Sequence, residues 1–146
     1  MMKKLVFLFV AVLFISLSSN AQNRSYELGV RIGGYGGVGA AVDGIMTLGE
    51  KNRLHGDLGF FSDALSVSAF YDWMFPIEEG FSFYPGVGAE MIIGDAFVLA
   101  IGGELGFEYA FKFPLSIGLD WRPSIRLIDD SGFGYDSFGL NIRYRF

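Results

Sequence analysis

The chain has 146 residues, 51% hydrophobic, with 21 glycines, one histidine, no cysteine and a net charge of −5. The acidic balance argues against a nucleic acid partner, and the absence of cysteine excludes disulfides and an acylated N-terminal cysteine. The glycines have no three-residue period, so a collagen-like chain is excluded as well.

Residues 1–21 read as a cleaved export signal. Lys3 and Lys4 open it, an apolar run follows over 5–17, and Ser19, Asn20 and Ala21 are small enough for a cleavage site. Cleavage after Ala21 leaves a single domain, 22–146, which is more acidic still because both lysines leave with the signal. The remainder has no uninterrupted apolar run long enough for a spanning helix. Its hydrophobicity is spread in alternation, the signature of a barrel made of strands.

The alternation is read strand by strand. In 26–33, Tyr26, Leu28, Val30 and Ile32 oppose Glu27, Gly29, Arg31 and Gly33, and the glycines around Gly36 mark a turn. In 38–48, Val42, Met46 and Leu48 oppose Ala41, Asp43 and Thr47, with Gly44 and Ile45 blurring the phase. The polar run 49–52 is a turn, and 54–60 sets Leu54, Leu58 and Phe60 against His55, Asp57 and Gly59. In 65–75, Leu65, Val67, Ala69, Tyr71 and Trp73 oppose Ser66, Ser68, Phe70 and Asp72. In 81–91, Phe81, Phe83, Val87 and Met91 oppose Ser82, Tyr84, Gly88 and Glu90. In 99–111, Ile101, Leu105, Phe107 and Tyr109 oppose Gly102, Glu104, Gly106 and Glu108.

The clearest case is 115–127, where Leu115, Ile117, Leu119, Trp121, Ile125 and Leu127 oppose Ser116, Gly118, Asp120, Arg122, Ser124 and Arg126. Its length predicts a rise of roughly 28 Å at a tilt of about 45°, near the height of a bilayer's hydrocarbon layer. The last strand, 138–146, sets Phe138, Leu140, Ile142, Tyr144 and Phe146 against Gly139, Asn141, Arg143 and Arg145. Pro85 and Pro123 lie within strands and lack a ladder donor, which predicts a bulge or an early strand end at each. The fold expected is all-β: an eight-stranded antiparallel up-and-down transmembrane β-barrel.

Charge collects on one face of every strand. Glu27, Arg31, Asp57, Asp72, Glu90, Glu104, Glu108, Asp120, Arg122, Arg126, Arg143 and Arg145 share it, together with Asp43, His55 and Asn141. A soluble barrel carrying an apolar ligand inside would turn these charges to water. Three features favour the inverse: apolar stripes that run the height of the strands, aromatics gathered at one end (Trp73, Phe75, Phe81, Phe83, Phe107, Tyr144), and a lumen only wide enough for side chains. Charges held there must pair. The expected arrangement is a ladder in which arginines of the last two strands face carboxylates of the first and middle strands.

The closing run Ile142-Arg143-Tyr144-Arg145-Phe146 resembles the end of the small outer-membrane β-barrel proteins of Gram-negative envelopes, the OmpA/OmpX-type barrels. Leu119-Asp120-Trp121-Arg122-Pro123 and Gly106-Phe107-Glu108-Tyr109 are similar to segments of the same group. The resemblance implies a porin-like monomeric barrel in the cell outer membrane, surrounded by lipid. It also implies that Phe146 is the insertion signal read by the barrel-insertion machinery. The outward loops are short, whereas that family's surface loops are usually long. A structural, envelope-integrity role without enzymatic activity is expected, with at most minor passage of small solutes.

The second functional class is a lipid hydrolase. His55, Asp57, Ser66 and Ser68 supply the residue types of a catalytic triad, yet all face the lumen, away from any acyl chain. A single histidine gives little for a transition-metal site, and Asp129-Asp130 offers too few ligands for calcium. No cofactor is expected.

Overall fold

The computed structural model describes residues 26–34, 39–60, 63–128, 132–135 and 137–146. The expected signal, the first residues of the domain at 22–25, the glycine turn around Gly36 and the Asp129-Asp130 pair lie outside them. No helix among the described residues is long and apolar enough to cross a membrane, which says nothing about crossing with strands.

Eleven strands follow in order: β1 (Tyr26–Gly34), β2 (Ala40–Thr47), β3 (Asn52–Phe60), β4 (Leu65–Trp73), β5 (Phe75–Glu78), β6 (Phe81–Ile93), β7 (Phe97–Ala110), β8 (Leu115–Trp121), β9 (Ser124–Ile128), β10 (Phe133–Gly134) and β11 (Phe138–Arg145). They form one antiparallel sheet closed on itself. The ring has eight members. Strand β5 continues β4, β9 continues β8, and β10 is a short arm on β9.

The seam joins first strand to last, from Glu27↔Arg145 to Gly34↔Phe138. Closure leaves no open edge, so the ring's backbone groups pair among themselves. Followed around the ring, the registers accumulate a stagger of about ten residues, which tilts eight strands by roughly 40–45°. The start of β1 and the end of β11, with the turns after β2, β5 and β7, lie at one end of the barrel; the last residues of β1, β3, β6 and β9 lie at the other, the loop end.

Both prolines expected within strands leave a mark, in different ways. The long strand expected over 115–127 is broken at Arg122-Pro123 into β8 and β9. Gly103 bridges the gap by donating its N–H to the Pro123 carbonyl at 2.9 Å. At Pro85 the pairing of β6 with β7 continues unbroken through Pro85↔Leu105. The ladder to the other neighbour lapses instead. Asp72↔Gly86 is the last pair of β4, and pairing resumes at Phe75↔Phe83 in the same register. Proline has no N–H to give at that point.

Burial follows the pleat and is inverted relative to a soluble domain. Among the described residues only Ile45, Phe70, Tyr84 and Ala100 are buried hydrophobics, against seventeen buried polar or charged residues. The outward face carries Val30, Leu105, Phe107, Leu119, Ile142, Tyr144 and many like them, all exposed. An interior this narrow admits long side chains only where a neighbour has none. The Tyr84 ring lies against Gly106, and the Arg31 guanidinium lies against Gly139; a β-carbon at either glycine would occupy the same space.

Gly106→Val should therefore destabilise the barrel by about 1–3 kcal/mol through overpacking. Gly103→Val should change little, because a β-carbon there meets nothing nearer than the Gly86 carbonyl oxygen at 3.6 Å and the position faces outward beside Val87. Urea midpoints of the two variants in detergent micelles, measured side by side, check this.

Candidate functional site

The lumen holds one continuous chain of alternating charge. Alternation along β3 points Arg53, His55 and Asp57 inward, and the partners arrive from across the ring. Arg53 donates to Asp72 on β4 at 3.2 Å and to Glu108 on β7 at 2.9 Å. Glu108 also receives Arg143 from β11 at 2.7 Å. Arg143 reaches Asp43 on β2 at 2.6 Å. Asp43 and Glu104 flank His55, at 2.7 Å from Nε2 and 3.0 Å from Nδ1. Glu104 receives Arg122 at 2.9 Å, and Arg122 Nη1 reaches Asp57 at 2.5 Å. A branch joins Arg31 on β1 to Asp120 on β8 at 2.5 Å, with Asn141 donating to the same carboxylate at 2.7 Å. Ser116 caps Glu27 at 2.9 Å.

The expected ladder has two of its rungs in this network, Arg122 to Asp57 and Arg143 to Asp43. Arg31 runs the opposite way, from the first strand to Asp120 near the end of β8. Arg53, which the sequence reading passed over beside a polar turn, anchors the middle. The signal was available in the alternation Arg53, His55, Asp57 carried back by one step.

Three of the predicted lumen residues lie toward the two ends of the barrel. Arg145 is half-buried and donates to the carbonyl oxygens of Phe111 and Phe113 in the turn after β7, so it pins that turn instead of pairing with an acid. Glu90 and Arg126 are half-buried and line a cavity at the opposite end. Phe146 packs edge-on against Tyr144 at 5.0 Å, and its N–H donates to the Tyr26 carbonyl at 2.8 Å.

Two rings complete the filling. Tyr84, fully buried, extends from β6 toward Gly106 and Gly118 on the next two strands, with the Arg53 guanidinium 4.4 Å above it. Phe70 lies 4.7 Å beneath the Arg122 guanidinium. Both are cation–π contacts in a desolvated setting.

The chemistry open to this arrangement is limited. His55 gives both ring nitrogens to carboxylates, and Ser68 donates to Asp57 at 3.0 Å, so no described serine is activated by the histidine. Asp43, His55 and Asp57, or His55, Asp72 and Glu104, could converge on an ion. The fit is poor, since Arg143 and Arg122 nitrogens stand 3.1 Å and 3.3 Å from the same imidazole and would repel a metal. Comparison with protein-family models, with curated proteins and with solved structures finds no match to this chain.

Removing one partner of a buried ion pair leaves the other charge uncompensated. Arg143→Met, which leaves Asp43 with His55 alone and Glu108 with Arg53 alone, should cost about 3–5 kcal/mol. Adding Asp43→Asn to Arg143→Met should cost less than the two single changes summed, because the two residues share one interaction. Urea unfolding in micelles followed by tryptophan fluorescence tests both statements.

Proposed function

We propose that the chain is an integral outer-membrane β-barrel with a structural, envelope role, exported by its N-terminal signal and closed to solutes. One observation carries the reading: charge faces the barrel axis while the outer wall is apolar around the ring and along its height. In water such a wall would be a very large exposed apolar surface, far beyond the patches that soluble monomers tolerate. In a bilayer it is the surface the solvent requires.

Aromatic residues support the placement. One girdle lies at the end where β1 starts and β11 finishes, where Trp73, Phe75, Tyr109, Phe113 and Tyr144 are exposed. The fold adds a second at the loop end, from Phe60, Phe97, Phe133 and Tyr135. Belts at both ends of an apolar wall match the two interfaces of a membrane. The span between them suits the role too, since β6 has 13 residues and β7 has 14. Tilted strands of that length rise roughly 30 Å. The filled lumen favours a structural part over a channel, because Tyr84 and Phe70 occupy the axis among paired charges.

Two measurements test the reading. The two tryptophans, Trp73 and Trp121, belong to the outward set, so phospholipids brominated on their acyl chains should quench most of the fluorescence. Quenching only by soluble iodide would sink the membrane assignment. Planar-bilayer recording should give a flat trace; discrete current steps would remove the closed-lumen half of the proposal.

A further inference from the structure

His55 is the single histidine of the chain and is fully buried in the lumen. The groups that face it come from all around the ring. Asp43 from β2 lies 2.7 Å from Nε2, and Glu104 from β7 lies 3.0 Å from Nδ1. Asp72 from β4 stands 3.5 Å from Nδ1. Arg143 from β11 comes within 3.1 Å of Nε2, and Arg122, at the break after β8, within 3.3 Å. Tyr84 from β6 meets the imidazole edge-on at 6.4 Å. Glu108 of β7 joins the same cluster through Arg53 and Arg143. On β3 itself, Arg53 and Asp57 share the inward face with His55.

The direction of the hydrogen bonds fixes what His55 has to be. An ionised carboxylate only accepts, and a neutral imidazole has one N–H. A neutral His55 would therefore aim a nitrogen lone pair at a carboxylate, 2.7 Å or 3.0 Å away. The imidazolium has a hydrogen for each. The neighbouring guanidiniums do not replace it. Arg122 Nη2 is nearly equidistant from the two ring nitrogens, at 3.5 Å and 3.3 Å, so it lies on the lone-pair axis of neither. Arg143 Nη2 shares Nε2 with an Asp43 oxygen that is nearer. Both arginines already hold two carboxylates, Asp57 and Glu104 for Arg122, Asp43 and Glu108 for Arg143. Charge balance points the same way. Among the described residues, seven buried carboxylates face four buried arginines. A cation at His55 narrows that excess where three carboxylates converge.

We propose that His55 is an imidazolium held as a structural cation of the closed barrel, so that folding takes up one proton from neutral solution. A free histidine is mostly neutral above a pH of about 6.5. Above that pH the unfolded chain lacks the proton, while the folded barrel holds it between Asp43 and Glu104. On unfolding the proton passes to solvent. The contribution to stability is then complete below the free-histidine value and declines as the pH rises above it. The unfolding equilibrium constant gains a factor of about ten per pH unit from this one proton. Alkali thus acts on the middle of the charge network, at a residue that solvent does not reach in the folded state.

The test is nitrogen-15 NMR of the labelled full chain, purified without a histidine tag, in detergent micelles at a pH of about 8, well above the free-histidine value. With one histidine in the chain, the imidazole signals belong to His55 alone. In the folded barrel the shifts of both ring nitrogens should report a bound hydrogen; in urea at the same pH they should report a neutral ring. A bare ring nitrogen in the folded barrel overturns the proposal. Urea unfolding across the pH range of about 7–9 is the second measurement. The wild-type unfolding constant should rise about tenfold more per pH unit than that of His55→Gln, because groups common to both cancel. Equal slopes in the folded variant overturn the proposal as well. Gel migration before and after boiling establishes that His55→Gln is folded; if it is not, the NMR result on the wild type decides alone. Neither measurement involves a bilayer, so failure here leaves the membrane assignment, tested by bromine quenching, untouched.

Discussion

Confinement of charge is the constraint from which the rest of this barrel follows. A wall of strands exposes every second side chain to the outside, and here that outside is apolar around the ring. Apart from exposed Glu78 at the end of β5, the ionic side chains of the strands are thereby driven toward the axis, into a space a few side chains across. Ions held so closely are stable only as mutual partners. Arginine suits the task better than lysine, because its planar fork engages two carboxylates at once. Arg53, Arg122 and Arg143 each do so.

Volume is the second constraint, and it is met locally. The lumen has to hold a tyrosine, a phenylalanine, a histidine and four buried arginines. Glycine provides the space opposite the largest of them, as Gly106 does for Tyr84 and Gly139 for Arg31. The break at Arg122-Pro123 serves the same end. Released from the regular ladder, Arg122 reaches Asp57 on β3 and Glu104 on β7. A rigid continuation of β8 would hold it to one row.

Much of this was legible as period two. The strands, their inward faces and the closure of first strand on last follow from where apolar residues recur. The choice of partners was not legible. Which acid an arginine meets across a lumen depends on the stagger of the ring, and no single strand encodes that. Hence Arg143 meets Asp43 on the second strand, while Arg31 turns to Asp120. Arg145 lies one step beyond the last full row and finds backbone carbonyls instead of an acid. Arg53 was hidden by its neighbour Asn52, whose turn-like character masked the start of β3. The prolines could be flagged but their outcomes could not. Pro123 ends a strand, whereas Pro85 interrupts only one of its two ladders.

The seam between β1 and β11 gives the barrel a direction in time. Arg143 and Asp43 are 100 positions apart, Arg31 and Asp120 are 89 apart, and so are Ser116 and Glu27. A chain assembled only as far as β7 carries the acids of its early strands without Arg122 or Arg143 to neutralise them. Partial barrels are therefore electrostatically incomplete as well as open-edged, and both defects are cured by the arrival of the final strands. Completion of the charge network therefore waits on the last strands, since a chain folded only through β7 keeps just the pairs that Arg53 and His55 make.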